Sequence, residues 1–260
     1  FSLSMSRHFN FRMKTFKPHD VVCLFVVFCQ CAFHVKSIPC RGTASYQLQF
    51  QAEWKNTSSR PAGAGFSGFI GCSHNKCYRM WREGEKASLG VRNVAEKGDG
   101  KVLEHEINKL VGNRTTFTAF TRSMHIAPLG TANVVEFNVD SIRPLVSVIA
   151  KIITFSRWFI GAHDLDLCDR NSGHWFGFKQ VKPVYAYDAD GISRIYSHAP
   201  WTSQEQQLGV FHFSKMQNFG ETTTGKFESD ESVTCPDKAS RSNIPCVIVC
   251  LISLLVTLTQ

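Results

Sequence analysis

The segment "YQLQFQAEW", from Tyr46 to Trp54, limits how the rest of the chain can fold. Apolar side chains occupy its even-numbered positions, and glutamine or glutamate occupies its odd-numbered positions. Because successive side chains of a strand point to opposite faces, one face of this strand is apolar and the other is polar. The segment therefore predicts an antiparallel strand that covers a core with one face and meets solvent with the other.

Further strand patterns follow after residue 134. Residues 134–140, "VVEFNVD", alternate in the same way, whereas residues 144–155, "PLVSVIAKIITF", are almost continuously apolar and rich in β-branched side chains. An apolar run of this kind is typical of a central strand in a sandwich. Shorter strand patterns are found at 157–161, 182–191 and 208–213.

A helical region separates the first strand from these later ones. We predict a connection rich in glycine, serine and proline over residues 56–71, then helices over residues 88–98 and 100–112, the second of which stops at Gly112. Strands that surround one helical region, without regular strand–helix alternation, predict an all-β fold with a helical insertion. The expected architecture is an antiparallel β-sandwich.

Both ends of the chain carry patterns typical of processing signals. An apolar run over residues 21–33 follows Met13 and three basic residues, so residues 1–34 are predicted to be an upstream extension and a signal peptide. Residues 214–243 are interpreted as a polar linker, and residues 244–260 as a hydrophobic tail. The tail has no basic flank, which favours a GPI-attachment signal, with a short membrane anchor as the alternative.

Cysteine content supports an oxidising, extracellular compartment. Cys72 and Cys77 are close enough in sequence to close a small loop, so we predict a local disulfide between them. Asn56 and Asn113 lie in glycosylation sequons, which fits a secreted surface. The body of the chain contains an odd number of cysteines, and one is therefore expected to be left over: Cys40, Cys72, Cys77, Cys168 and Cys235.

The formal charge of +8, with a pI of about 9.0, favours acidic partners such as sulfated glycans, anionic lipids or microbial surfaces. A basic surface without a dedicated partner explains the same charge equally well. The basic residues are scattered, with no run of five or more, and we do not predict nucleic-acid binding.

No motif in the sequence predicts an enzyme. A nucleophile elbow, a phosphate-binding loop, a zinc-protease helix and a dinucleotide fingerprint are all missing. The stretch "RWFIGAHDLDLCD", residues 157–169, places His163 close to Asp164 and Asp166, which could ligate a cation or orient an imidazole. The interpretation we favour is a strand edge, with both aspartates on the outward face and leucines opposite.

Four blocks follow one another along the chain: "YQLQFQAEW", "GCSHNKCYRMWREGEKASLGVRNVAEKGDGKVLEHEI", "LVSVIAKIITFSRWFIGAHDLDLCD" and "VYAYDADG". Together, in this order, they resemble the spondin domain family. The resemblance covers residues 40–213, nearly the whole body of the chain. It implies a C2-like antiparallel β-sandwich of the kind found in extracellular matrix and cell-adhesion proteins. Implied ligands are matrix components, cell-surface receptors such as integrins, and microbial carbohydrate.

The same resemblance implies a disulfide between Cys40 and Cys168, and a calcium site built from three acidic side chains. Asn138 and Arg157 stand at two of the three calcium positions, and Asp188 alone keeps its carboxylate. Calcium requires several oxygen ligands, and a guanidinium beside it opposes its charge. We therefore expect that the calcium site is lost and that Arg157 pairs with Asp188. The alternative is a shifted calcium site that uses Glu136, which lies on the same strand face as Asn138.

These observations predict an extracellular, membrane-tethered and non-enzymatic module of cell adhesion or matrix binding. The alternative is a pattern-recognition module that binds microbial or sulfated glycans through a basic surface. No cofactor is expected, apart from calcium if the altered site still binds it.

Overall fold

The computed structural model describes residues 37–55, 60–131, 134–194, 207–216, 229 and 232–235, and it confirms an antiparallel β-sandwich with a helical insertion. The predicted signal peptide, the hydrophobic tail and Asn56 lie outside these residues. Neither helix within the described ranges is long and apolar enough to cross a bilayer. In chain order the elements are β1 (Thr43–Glu53), β2 (Phe69–His74), α1 (Leu89–Lys97), α2 (Lys101–Asn108), β3 (Phe120–Arg122), β4 (Leu129–Thr131), β5 (Val135–Asp140), β6 (Leu145–Lys151), β7 (Trp158–Asp166), β8 (Cys168–Asp169), β9 (His174–Trp175), β10 (Phe178–Val184), β11 (Ala186–Asp188), β12 (Ser193–Arg194) and β13 (Gly209–Lys215).

Strand β1 organises the first sheet. It pairs antiparallel with β13 along one edge and with β4 and β5 along the other, and β10 continues the sheet beyond β13. The predicted alternation is confirmed, because Tyr46, Leu48 and Phe50 are fully buried while the glutamines between them lie on the other face. The polar face of this sheet consequently remains at the surface.

The second sheet, which we call the middle sheet, has the order β12–β11–β7–β6–β2–β3. One of its faces packs on β1 and β13, where phenylalanine rings meet: Phe69 of β2 lies 6.1 Å from Phe50 and 6.0 Å from Phe211 between ring centroids. The other face packs on the two helices, against Val91 and Leu103. The fold therefore contains two cores, one on each face of the middle sheet.

Burial on both faces explains one correct and one wrong prediction. Along β6, Val148 contributes to the core between the sheets and Ile149 to the core under the helices, as expected for a central strand. All six residues of β2 are also buried, yet residues 56–71 were predicted to be a connection. A strand enclosed on both faces shows no alternation of apolar and polar residues. Position 71 of this strand is a glycine because a Cβ there would lie 2.6 Å from the carbonyl oxygen of Ser147.

Opposite charges from other elements stabilise the two ends of α1. The Glu106 carboxylate on α2 accepts hydrogen bonds from the Gly90 amide (2.9 Å) and from the hydroxyl of the N-cap, Ser88 (2.8 Å). At the other end, the Lys151 ammonium donates to the carbonyl oxygens of Ala95 (2.8 Å) and Glu96 (2.9 Å). A negative group at the N-terminus and a positive group at the C-terminus complement the helix dipole, so α1 is anchored on both sides.

The second helix ends four residues earlier than predicted, at Asn108 instead of Gly112. The Thr116 hydroxyl donates to the Ile107 carbonyl (2.8 Å), and the Asn108 side chain accepts from the Ala119 amide (3.1 Å). These bonds draw the chain into turns that return it toward β3. Leu110 still packs partly inside, which explains its apolar spacing in the sequence.

The disulfides agree with the family expectation at one site and correct the sequence prediction at another. Cys40 is bonded to Cys168, as the resemblance implied, but Cys77 is bonded to Cys235 and not to Cys72. Cys72 is a free thiol, fully buried within β2, and burial raises its pKa far above the usual range. Proximity in sequence misled the prediction, because β2 directs one cysteine into the core under the helices while a turn carries the other to the surface.

Candidate functional site

The position where the resemblance implied a cation lies at the turn between β6 and β7. Arg157 precedes β7 with a positive φ of 71°, and Asp188 ends β11, paired with Trp158. The Arg157 guanidinium lies 3.8 Å from the Asp188 carboxylate, as predicted, and it also contacts the carboxylate of Asp190. A protein cation therefore sits between the two carboxylates at this turn.

Asn138 does not belong to this cluster. Its carbonyl oxygen accepts a hydrogen bond from Ser73, which pairs with Val146 at the start of β6. Asp188 instead pairs with Trp158, the first residue of β7. The Trp158 carbonyl oxygen accepts a hydrogen bond from the amide of Ile152, which lies just beyond the end of β6. Six residues of extended chain separate these two places on β6, which is a distance of about 20 Å.

The shifted site that Glu136 left open is also not formed around Asp188. The Glu136 carboxylate accepts a hydrogen bond from Gln47 (3.3 Å), and the Asn138 side chain accepts from Ser45 (2.7 Å), both on the outer face of the first sheet. Among the residues in the described ranges, no group of three acidic, histidine or cysteine side chains is placed to hold a metal ion. The arrangement around Asp188 does not fit calcium, because the guanidinium of Arg157 already contacts both aspartates.

A second cluster lies where His163 and its neighbouring aspartates were predicted to form a polar strand edge. Asp164 has a positive φ of 49°, and the pairing of β6 with β7 shifts register beside it. The period of two is therefore broken, and Asp164 turns inward toward Arg82 (2.8 Å) and His163 (3.3 Å). Asp166 instead accepts from Arg170 (2.7 Å) and from the amide of Cys168 (2.9 Å), so it stabilises the segment that carries the disulfide.

Behind Asp164, two fully buried polar side chains complete a network that the sequence did not predict. His74 on β2 hydrogen-bonds through Nδ1 to the Asn75 carbonyl oxygen and through Nε2 to the Ser147 hydroxyl, both at 2.8 Å. Because a carbonyl can only accept, Nδ1 carries the proton and Nε2 accepts from Ser147. The Ser147 oxygen also accepts from the Asp164 amide (3.0 Å), and every polar group of the pair is satisfied.

The residue types of this network are those of a serine hydrolase, but its geometry is different. The Asp164 carboxylate lies 3.8 Å from Nε2 of His74, the same nitrogen that bonds the serine. In a catalytic triad the carboxylate holds the opposite nitrogen, and the serine is open to substrate. Ser147 and His74 are both 0% exposed, so the network serves to satisfy polar groups between β2, β6 and β7.

Burial and hydrogen bonding shift the pKa values of His74 and Asp164. Burial lowers the pKa of His74, although the Asn75 carbonyl and the nearby Asp164 carboxylate oppose the shift. Burial alone would raise the pKa of Asp164, but the hydrogen bonds from His163 and Arg82 outweigh it and lower that pKa to about 2. At neutral pH the network therefore contains a neutral imidazole and an ionised carboxylate.

The remaining site residue with a described position is Asn113. It is exposed in the turns after α2, where its side-chain oxygen accepts from the Thr115 amide (3.3 Å). An exposed turn is accessible to glycosylation, and modification of Asn113 and Asn56 stays a prediction.

Calcium titration tests the altered cation position. We expect isothermal titration calorimetry of the purified protein to show no calcium binding at micromolar concentrations, because Arg157 already neutralises Asp188 and Asp190. Micromolar binding that disappears in the Asp188→Ala variant would contradict this expectation.

Acid should weaken the fold through His74. Below pH ~6.5 the unfolded chain protonates this histidine but the folded chain does not, so the free energy of unfolding falls by at most ~1.4 kcal/mol per pH unit. Urea unfolding between pH ~7.5 and ~5, where Asp164 stays ionised, measures this slope. His74→Gln should flatten it, whereas His105→Gln, at an exposed histidine of α2, should not. Equal slopes in wild type and His74→Gln would refute the assignment.

Comparison with known proteins places the chain in a family. The family model described as Spondin_N matches residues 44–219, from β1 to just beyond β13. Human Spondin-2 is 31% identical over 157 residues, which are 57% of this chain and 46% of that protein. Human Spondin-1 is 32% identical over 166 residues, which are 61% of this chain and 20% of that protein. The match therefore spans less than half the length of either relative, but the family model covers both sheets of the sandwich, and the chain belongs to the spondin family.

Proposed function

We propose that this protein is an extracellular, non-enzymatic module that binds matrix or cell-surface ligands. The observation that carries the proposal is the Spondin_N match, which extends over both sheets of the sandwich. Spondin-type domains belong to matrix and adhesion proteins, and an integrin-like receptor is one expected class of partner. The two disulfides support an oxidising, extracellular location.

The architecture suits a binding scaffold. Two cores and two disulfides make the sandwich rigid, and a rigid scaffold presents surface loops to a ligand without a large entropic cost. The pair of Ser147 and His74, which resembles part of a catalytic site, is sealed inside the protein, which supports a role without catalysis.

Cell attachment tests the proposal. The protein is produced on mammalian cells, released from their membranes with phospholipase or detergent and immobilised. Attached cells are counted against an albumin surface and against the same protein after reduction and alkylation. We expect attachment to the native protein and its loss after reduction, because the fold depends on both disulfides. A native protein that supports no attachment, and that binds neither fibronectin, laminin nor collagen in solid-phase assays, would rule the function out.

The charge of +8 favours a second candidate, recognition of microbial or sulfated glycans through a basic surface. The same attachment assay separates the two. Attachment that soluble heparin and about 0.5 M salt abolish would favour the glycan, because screening removes long-range attraction between charges. Attachment that persists under both conditions would argue against an anionic glycan as the ligand.

We further propose that residues 244–260 are a GPI-attachment signal, which is removed when the anchor is added, and that this anchor tethers the module to the cell surface. Phosphatidylinositol-specific phospholipase C should release the protein from transfected cells, and a protein with a transmembrane helix provides the control. Surface protein that resists the phospholipase but is extracted by detergent would argue for a membrane-spanning tail instead.

A further inference from the structure

The outer face of the first sheet presents two rows of polar side chains across neighbouring strands. In the first row, Phe178 on β10 is paired with Ser214 on β13, which is paired with Gln47 on β1. In the second row, Gln180, His212 and Gln49 are paired in the same order. Because paired residues share a face, these six side chains, which we call the amide face, lie side by side about 4.8 Å apart from strand to strand.

Contacts within the amide face fix an aromatic pair at one edge. The Gln180 side-chain amide hydrogen-bonds to Nδ1 of His212 at 3.1 Å, which fixes the imidazole. The Phe178 ring lies 5.8 Å from that imidazole, inclined by 34°, and Phe178 remains 53% exposed. Phe178 therefore offers an apolar surface directly beside groups that donate and accept hydrogen bonds.

The amide face is nearly uncharged, although the chain has a net charge of +8. Its side chains are three amides, a hydroxyl, an imidazole and a phenyl ring. The nearest ionised group along the first row is Glu136 on β5, which already accepts a hydrogen bond from Gln47 at 3.3 Å. A sulfated or otherwise anionic ligand would find no lysine or arginine in either row and would meet this carboxylate.

We propose that the amide face binds an uncharged polysaccharide. The inference rests on the proposed extracellular function and names one ligand class and one surface for it. Each glutamine side chain provides a donor and an acceptor side by side, which is the combination that neighbouring sugar hydroxyls require. The apolar face of a sugar ring packs against Phe178, in the way that buried binding surfaces combine an aromatic side chain with a few polar groups.

Complementarity of charge distinguishes this surface from the basic surface considered above. Binding through amides, hydroxyls and a phenyl ring does not depend on Coulomb attraction and should tolerate salt. Binding of heparin or a microbial polyanion through lysine and arginine should weaken steeply as salt is added.

Biolayer interferometry on surfaces that carry dextran, laminarin, galactomannan or heparin tests the proposal with the full, disulfide-bonded chain. We expect at least one neutral polysaccharide to bind, with less than a twofold change in Kd between about 0.05 M and about 0.5 M NaCl. Phe178→Ala and Gln49→Ala should each weaken that binding by about tenfold or more. Leu89→Ala, at an exposed apolar residue of α1, is the matched control for Phe178→Ala and should change nothing.

The proposal is overturned if none of the three neutral polysaccharides binds, or if Phe178→Ala and Gln49→Ala bind as tightly as wild type. Circular dichroism of each variant shows whether it is folded, and Gln180→Ala replaces any variant that is not. The cell-attachment assay distinguishes failure of this inference from failure of the proposed function. Attachment without polysaccharide binding removes this inference and leaves the proposed function, whereas salt-resistant polysaccharide binding without attachment supports the inference and removes the adhesion role.

Discussion

Burial of the middle sheet on both faces is the constraint on which the rest of the fold depends. Along β2 and β6 neither face meets solvent, so a layer must cover each side. The first sheet covers one side with the aromatic side chains of β1 and β13, and the two helices cover the other. Each fully buried valine or isoleucine contributes about 1.5–3 kcal/mol relative to an exposed one, and loss of either layer would expose several at once.

The helical layer has few apolar residues, and charges therefore help to hold it in place. Glu106 meets the amino end of α1, and Lys151, from the middle sheet, meets its carboxyl end. The Lys151 ammonium also donates to the Phe155 carbonyl oxygen at 2.8 Å, in the turn that leads to Arg157. Lys151 thus joins α1, the middle sheet and the turn at which the family resemblance implied a calcium ion. Partial burial lowers the pKa of Lys151.

Sequence patterns predicted those parts of the fold in which a single physical requirement acts. Strand β1 was recognised because one of its faces is buried and the other is not. The pairing of Arg157 with Asp188 was predicted because the family resemblance places both residues at calcium positions, where a guanidinium would meet a carboxylate. Strand β2 was missed because its six residues, FIGCSH, show neither the alternation of β1 nor the long apolar run that marked β6. Asp164 was misplaced because a left-handed residue changes the direction of the side chains after it, and no pattern in "AHDLDL" reveals such a residue.

The order of the four paired cysteines along the chain has a topological consequence. Cys40 and Cys77 come before Cys168 and Cys235, and each bond joins one residue of the first pair to one of the second, so the two covalent loops overlap. Cutting the backbone anywhere between residues 40 and 235 leaves at least one of these bonds between the fragments. A protease could nick an exposed loop of this module once, and without a reductant the product would keep the mass and connectivity of a single molecule.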